Sequence, residues 1–277
     1  MSTLSTAQFK EIAALAQDRW GLELTERKKL LVQSRLSKML HRSQYKSVAD
    51  YLEHLRNEAD EEDMLVFFDL LSTNTTSFFR ESEHFDYLEQ HVYPRLADAP
   101  RGTSVRVWSA ACSNGSEPYT IGIHAHECLP NLAALDYRIL ATDLSNKVIE
   151  RARLALYPDK AVESLPARLR GKYFEKRHLP DTPPDEFAYR VVDSVRSMVS
   201  IHRLNLMDPW PMKGPFDVIF LRNVMIYFNK PTREKLVNRM RTLLSEDGLL
   251  IIGGAETLSG IDSGFTMIRP SIYAVRA

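Results

Sequence analysis

Two carboxylates stand where this chain could do chemistry, Glu117 and Asp143. Glu117 closes the stretch Val105-Arg-Val-Trp-Ser-Ala-Ala-Cys-Ser-Asn-Gly-Ser-Glu117, in which an apolar run opens into small residues before Pro118 starts a helical pattern. One αβ unit later, Asp143 ends the second apolar run, Ile139-Leu-Ala-Thr-Asp143. An acid at that strand end can hold two ribose hydroxyls, and the small-residue loop lets backbone approach the rest of a nucleoside. The loop holds a single glycine, Gly115, where a dinucleotide fingerprint needs three. Glu117 occupies the helix start where a pyrophosphate would sit; a carboxylate there repels phosphate and suits a cation. The ligand these residues imply is a nucleoside with a positive tail and no phosphate, S-adenosylmethionine, with S-adenosylhomocysteine as product. Gly115 supplies a loop conformation denied to larger residues. Asp143 has a plainer reading as the cap of a helix near Ser145, and Glu117 one as an acid favoured in a first helical turn.

These residues need a sheet to hold them. Strand-like runs fall at Val105–Trp108, Tyr137–Ala141, Val199–Leu204, Phe216–Leu221 and Leu249–Ile252. Helical patterns follow several of them, at Pro118–Leu129, Ser145–Leu154 and Thr232–Leu244. That alternation predicts an α/β fold, a parallel sheet with helices on both faces. Phe265–Ile268 and Ile272–Val275, split by Arg269-Pro-Ser, predict a closing antiparallel hairpin, as in the seven-stranded, Rossmann-like class I methyltransferase sheet. Residues 171–198, with Asp181-Thr-Pro-Pro-Asp185 and alternating Phe187, Tyr189 and Val191, read as a small antiparallel β insertion. Residues 1–73 carry only helical spacing and form an N-terminal helical domain. Residues 74–96 are a linking segment in which Phe78-Phe-Arg-Glu81 opens a helix reaching about Leu96. Residues 97–277 make the ligand-binding domain.

The chain has 277 residues with 36 basic and 36 acidic side chains, so no net field draws it to nucleic acid or membrane. Cys112 and Cys128 are its only cysteines, in no paired metal-ligand spacing, which fits a reducing cytosol and predicts no metal. No secretion signal and no apolar run of about 20 residues is visible, so a soluble cytoplasmic protein is expected, and nothing suggests more than a monomer. Lys28, Arg35, Lys38 and Arg42 fall within about a quarter turn of one another at helical spacing, with Leu30, Leu36 and Leu40 toward the other side. Such a stripe is either a dock for an acidic helix or an ordinary solvated face.

The helical N-terminus, Asn74-x-Thr76-x-Phe-Phe-Arg80-Glu81, Trp108-Ser-Ala-Ala111, Glu117-Pro-Tyr119 and Arg222-Asn-Val-Met-Ile-Tyr-Phe228 together resemble the chemotaxis receptor methyltransferases, the CheR family. The likeness runs from about residue 10 to the C-terminus. It implies methyl transfer from S-adenosylmethionine to glutamates on the cytoplasmic helices of membrane chemoreceptors. It also implies that a basic N-terminal helix faces the receptor; some members dock on a receptor-tail peptide through the β insertion. By resemblance, Asn74, Thr76 and Arg80 help close the cofactor pocket, Arg80 meeting the methionine carboxylate, while Asn205 bonds adenine and Leu206 packs on it. Arg222 and Asn223, at the end of the fourth strand, lie where substrate and methyl group meet. Arg222 in an apolar run needs partners, and the Tyr227 hydroxyl can orient the incoming carboxylate, line the methyl channel, or simply pack in the core. Glu256 carries no assigned role. A non-catalytic receptor adaptor of the same fold and a dinucleotide oxidoreductase are the competing readings. The missing glycines and Glu117 weigh against the second.

Overall fold

The computed structural model describes residues 4–178 and 187–276; the Asp181–Asp185 segment lies outside them. Four helices come first: α1 (Thr6–Trp20), α2 (Lys29–Leu40), α3 (Val48–Asn57) and α4 (Glu61–Leu71). Their starts follow from local chemistry. Ser5 and Gln8 form a reciprocal capping box on α1, Ser47 caps α3, and Asp60 with Asp63 boxes α4, each occupying orphan backbone donors. Phe9, Ile12, Leu36, Leu52 and Phe67 are buried between them. Leu30 does not share that interior. It is 78% exposed, because the buried stripe of α2 runs through Val32 and Leu36.

The segment after Arg80 differs from the expected continuous helix. Phe79 and Glu81 adopt left-handed backbone (φ 51° and 55°), which a right-handed helix cannot contain. The helix begins instead at Glu83, as α5 (Glu83–Tyr87), passes through a π-helical turn at Leu88–Val92, and ends as α6 (Tyr93–Ala97).

Seven strands then build the main sheet: β1 (Ser104–Ala110), β2 (Asp136–Asp143), β6 (Val199–Arg203), β7 (Phe216–Leu221), β8 (Leu244–Ile252), β9 (Phe265–Arg269) and β10 (Ile272–Val275). The order is β6-β2-β1-β7-β8-β10-β9, parallel from β6 to β8 and antiparallel through the terminal hairpin. α7 (Ser116–Cys128), α8 (Asn146–Leu154) and α12 (Lys230–Arg241) connect and cover it. α12 ends at Arg241, short of the expected Leu244, which already belongs to β8. The strand order reverses between β1 and β7, the place where open α/β sheets bind ligands at their carboxyl ends.

The insertion is a three-stranded antiparallel sheet, β3 (Leu156–Pro158), β4 (Phe174–His178) and β5 (Phe187–Val191), in the order β3-β5-β4. It starts earlier than residue 171, since Leu156–Pro158 pairs with Ala188–Arg190. Short helices α9 (Asp159–Val162), α10 (Ala167–Tyr173) and α11 (Asp193–Arg196) frame it. Tyr157, Tyr173, Phe174 and Val191 are buried with Phe78 and Tyr119, which seats this sheet against α7.

The helical unit is joined to the main sheet directly. Leu22 bridges Phe228, and the Glu23 N–H donates to the Tyr227 carbonyl at 2.7 Å. The Asn205 amide donates to the Arg19 carbonyl at 3.2 Å. Among the described residues no helix is long and apolar enough to cross a membrane.

Candidate functional site

A cleft of about 920 Å³, counted with its open mouth, lies over the carboxyl ends of β1, β2, β6 and β7. Trp20, Leu22 and Phe68 supply an apolar wall from the helical unit. Residues 72–76 and Arg80 form one rim. Asn74, Thr76, Arg80, Glu117, Asp143, Asn205, Leu206, Arg222, Asn223 and Tyr227 all line it. Residues from four strand ends and a linker therefore converge on one space.

Asp143 ends β2 and is buried, with its carboxylate held by two backbone donors: Ser113 N–H to Oδ2 at 2.9 Å and Ser145 N–H to Oδ1 at 3.1 Å. It does not cap α8; the Ser145 hydroxyl does, accepting from the Val148 N–H. Burial pushes the Asp143 carboxyl above its usual range against the pull of those N–H groups. Each oxygen accepts one hydrogen bond from a backbone N–H and keeps a lone pair for a ligand hydroxyl.

Gly115 is not in the cleft wall. It precedes α7 with φ 89°, and a Cβ there would come within 3.0 Å of Ala152 Cβ and the Tyr157 hydroxyl. The sequence is glycine here because the loop must turn left-handed against a packed neighbour. In the same loop, the cleft-lining Ala111 and Ser113 also take positive φ, as do Glu81 and Asn223. Three of these, Ala111, Ser113 and Asn223, line one cavity, and Glu81 follows the lining residue Arg80. Such strain persists where the surrounding structure over-determines it, as binding sites commonly do.

Arg222 is the electrostatic centre. Its side chain is 3% exposed, and Nη1 donates to Glu117 Oε2 at 2.9 Å. Nη2 donates to Glu81 Oε2 at 3.1 Å and also to the Arg80 carbonyl. The expectation that this arginine needs partners is met by two carboxylates. Glu117 further accepts from the Ser109 hydroxyl at 2.7 Å, so both of its oxygens are engaged within the protein. Burial alone would raise the Glu81 carboxyl, but Arg222, the Asn223 amide and a backbone N–H hold it below its ordinary range. His84 lies beside this group, fully buried and without a hydrogen-bond partner. Burial, reinforced by Arg222, lowers its pKa to about 4, so the imidazole is neutral.

Glu256 acquires a role from the fold. Its Oε2 accepts from the N–H groups of Asn223 (2.9 Å) and Gly253 (2.7 Å), and its Oε1 from Ile226 (3.2 Å). It thereby pins the turn that presents Arg222 and Asn223. Gly253 is required by the same packing, since a Cβ would stand 2.5 Å from Asn223 Nδ2. Glu81 and Glu256 were both visible as acids inside recognisable motifs, yet nothing in their local sequence indicated which distant backbone they would meet.

Other expected residues are more committed to the protein than their spacing suggested. Arg80 Nη1 donates to the Thr75 carbonyl at 3.1 Å. Asn205 donates to Arg19 and accepts from the Met207 N–H at 3.0 Å, which leaves one amide hydrogen and one lone pair for a ligand. The Tyr227 hydroxyl donates to the Thr73 carbonyl at 3.1 Å.

The basic stripe is revised. Lys28 belongs to a 3-10 turn (Glu26–Lys28) ahead of α2; its ammonium donates to the Glu23 carbonyl at 3.1 Å and sits 5.2 Å from the Tyr227 ring centre. Its ammonium is thus engaged beside Tyr227 and does not line the cleft that holds the other three. Arg35, Lys38 and Arg42 remain together on a second cleft, joined there by Lys147 and Arg151 of α8. Residues 72–74 line both clefts, so the basic surface adjoins the cofactor-sized cavity. Arg35 is partly structural, donating to the Leu70 and Ser72 carbonyls and to Thr73 Oγ1.

Comparison with known proteins gives a consistent result across the whole chain. The family described as "CheR methyltransferase, SAM binding domain" matches residues 74–274, and "CheR methyltransferase, all-alpha domain" matches residues 7–72. A chemotaxis protein methyltransferase of Borreliella burgdorferi is 36% identical over 271 residues, covering 96% of this chain and 93% of that protein. A probable chemotaxis protein methyltransferase of Rhizobium etli is 40% identical over 241 residues, 87% of this chain and 88% of that protein. The chemotaxis protein methyltransferase of Escherichia coli is 34% identical over 273 residues, 98% and 92% of the two chains.

Proposed function

The chain belongs to the CheR methyltransferase family, and from that premise we propose that it forms methyl esters on glutamate side chains of chemoreceptor helices. It uses S-adenosylmethionine. The observation that carries the reading is the meeting of Glu117 from the first turn of α7, Asp143 from the end of β2 and Arg222 from the end of β7 in one cavity bounded by an apolar wall.

The residues fit that cofactor. Asp143 has spare lone pairs for ribose hydroxyls, and Trp20, Leu22, Phe68 and Leu206 provide apolar surface for a base. Glu117, in the first turn of α7, places a carboxylate where a pyrophosphate would sit, which suits a bound cation and disfavours phosphate. Arg80 is placed to meet a carboxylate at the rim, with Asn74 and Thr76 closing over it. When bound, S-adenosylmethionine supplies a methyl group activated by its sulfonium.

The protein's remaining task is positioning. A glutamate with pKa near 4.3 is already ionised at neutral pH, so no general base is needed. Arg35, Lys38, Arg42, Lys147 and Arg151 attract an acidic helix and bring it to the rim shared by the two clefts. Tyr227, its hydroxyl held by the Thr73 carbonyl in that rim, lines the path of the incoming carboxylate. Arg222 and Asn223 hold the floor, and exclusion of water strengthens the attack by a carboxylate oxygen stripped of its hydration.

The test is incorporation of base-labile methyl groups into a purified chemoreceptor, alongside calorimetric titration with S-adenosylhomocysteine. Receptor esters formed with this chain and absent without it support the reading. Tight cofactor binding with no receptor methylation would make it an adaptor.

A further inference from the structure

At the C-terminal end of α7, about two turns beyond Glu117 on the same helix face, three metal-ligating side chains meet. Glu89 lies in the π turn between α5 and α6; His124 and Cys128 are one helical turn apart on α7. Their donor atoms all fall within 4.8 Å of one another, and His124 Nε2 is 3.6 Å from Cys128 Sγ and 3.8 Å from Glu89 Oε2. With zinc bonds of about 2.3 Å to sulfur and about 2.0–2.1 Å to nitrogen and oxygen, the edges of a tetrahedron are roughly 3.4–3.6 Å. The two separations from His124 Nε2 are within a few tenths of an ångström of those edges.

The imidazole is arranged for the task. Its Nδ1 lies 3.3 Å from the Tyr93 hydroxyl; the tautomer that donates there leaves the Nε2 lone pair facing the thiol and the carboxylate. An outer partner on the far ring nitrogen is the usual accompaniment of a ligating histidine. His124 is buried, whereas the Glu89 side chain is 58% exposed, so the group opens to solvent on one side only. π turns are rare and concentrate at functional positions; this one sets Glu89 opposite α7.

We propose that Glu89, His124 and Cys128 bind a zinc-class divalent cation, with a water in the fourth position. Thiolate and imidazole select such ions over magnesium or calcium. On binding, the Cys128 proton is released to solvent, and the thiolate and carboxylate together neutralise the ion. The cation cross-links the π turn to the end of α7. The two elements it joins are those whose beginnings carry Glu81 and Glu117, both on Arg222.

Titration of metal-stripped protein with cobalt(II) tests the site. A thiolate-to-cobalt absorption band that saturates at one equivalent and is bleached by zinc is expected. Cys128→Ser removes the band while S-adenosylhomocysteine binding, followed by calorimetry, stays intact. Tyr93→Phe weakens zinc binding by about tenfold or more. No band at stoichiometric cobalt in a protein that still binds S-adenosylhomocysteine, or a band that survives Cys128→Ser, overturns the proposal.

Discussion

At the scale of single residues, the site is a matter of which charges are paired. Asp143 sits in a polar niche that backbone N–H groups hold open, and its ligand bonds would form away from water. Asp143→Ala should weaken S-adenosylhomocysteine affinity by about 1–3 kcal/mol, measured by calorimetry; unchanged affinity would remove Asp143 from the ribose. Arg222 answers two carboxylates at once. Arg222→Met leaves both without their countercharge and should lower stability by about 3–5 kcal/mol in urea unfolding, more than an exposed arginine could. His84 gives the site a pH signature. The unfolded imidazole takes up a proton as pH falls below about 6.5, whereas the native one resists until about 4. The unfolded state therefore binds more protons in that window, and stability should fall by up to about 3 kcal/mol between pH 6.5 and 4. His84→Phe should flatten that slope. A further loss below about pH 4.5 would remain, because Glu81 is ionised more readily folded than unfolded.

At the scale of elements, helix α2 shows how a row of like charges divides its labour. Arg35 ties the end of α4 and the linker in place through three acceptors, while Lys38 and Arg42 have no such duty among the described contacts. Lys38→Glu with Arg42→Glu should raise the KM for receptor and leave S-adenosylhomocysteine affinity unchanged. Arg35→Glu should damage both, because the rim it braces borders the cofactor cleft. Receptor methylation that is indifferent to the double reversal would return this surface to ordinary solvated charge. The strands and helices of the sheet were legible because apolar runs and small-residue loops impose their periods locally. The start of α5 was not, since the left-handed turn at Phe79 and Glu81 is stabilised by remote partners, Thr120 for the Phe79 N–H and Arg222 for Glu81.

At the scale of the molecule, the cofactor cleft is built by both units, with Trp20, Leu22 and Phe68 on one side and the strand ends on the other. A ligand bound there stabilises their association as well as each fold. S-adenosylhomocysteine at 100 times its Kd should add about 2.7 kcal/mol to unfolding, and helical and sheet signals should shift together. Separate transitions, with only the sheet responding, would show that the helical wall contributes little.

Sequence alone determined the α/β class, the two carboxylates at a helix start and at the next strand end, and the likeness carried by residues 74–81 and 222–228. Each is written in contiguous residues, where spacing and side-chain type act within a few turns of chain. Tertiary structure alone decided what those groups face: Glu117 and Glu81 on Arg222, Glu256 on the turn after β7, the Lys28 ammonium on the Glu23 carbonyl beside Tyr227. The same holds for Glu89 beside His124 and Cys128, of which only the His-to-Cys helical spacing could be read in advance. Partners brought together from 30 to 140 residues apart are selected by sheet order and helix packing, and no local pattern encodes which of many possible acids will arrive.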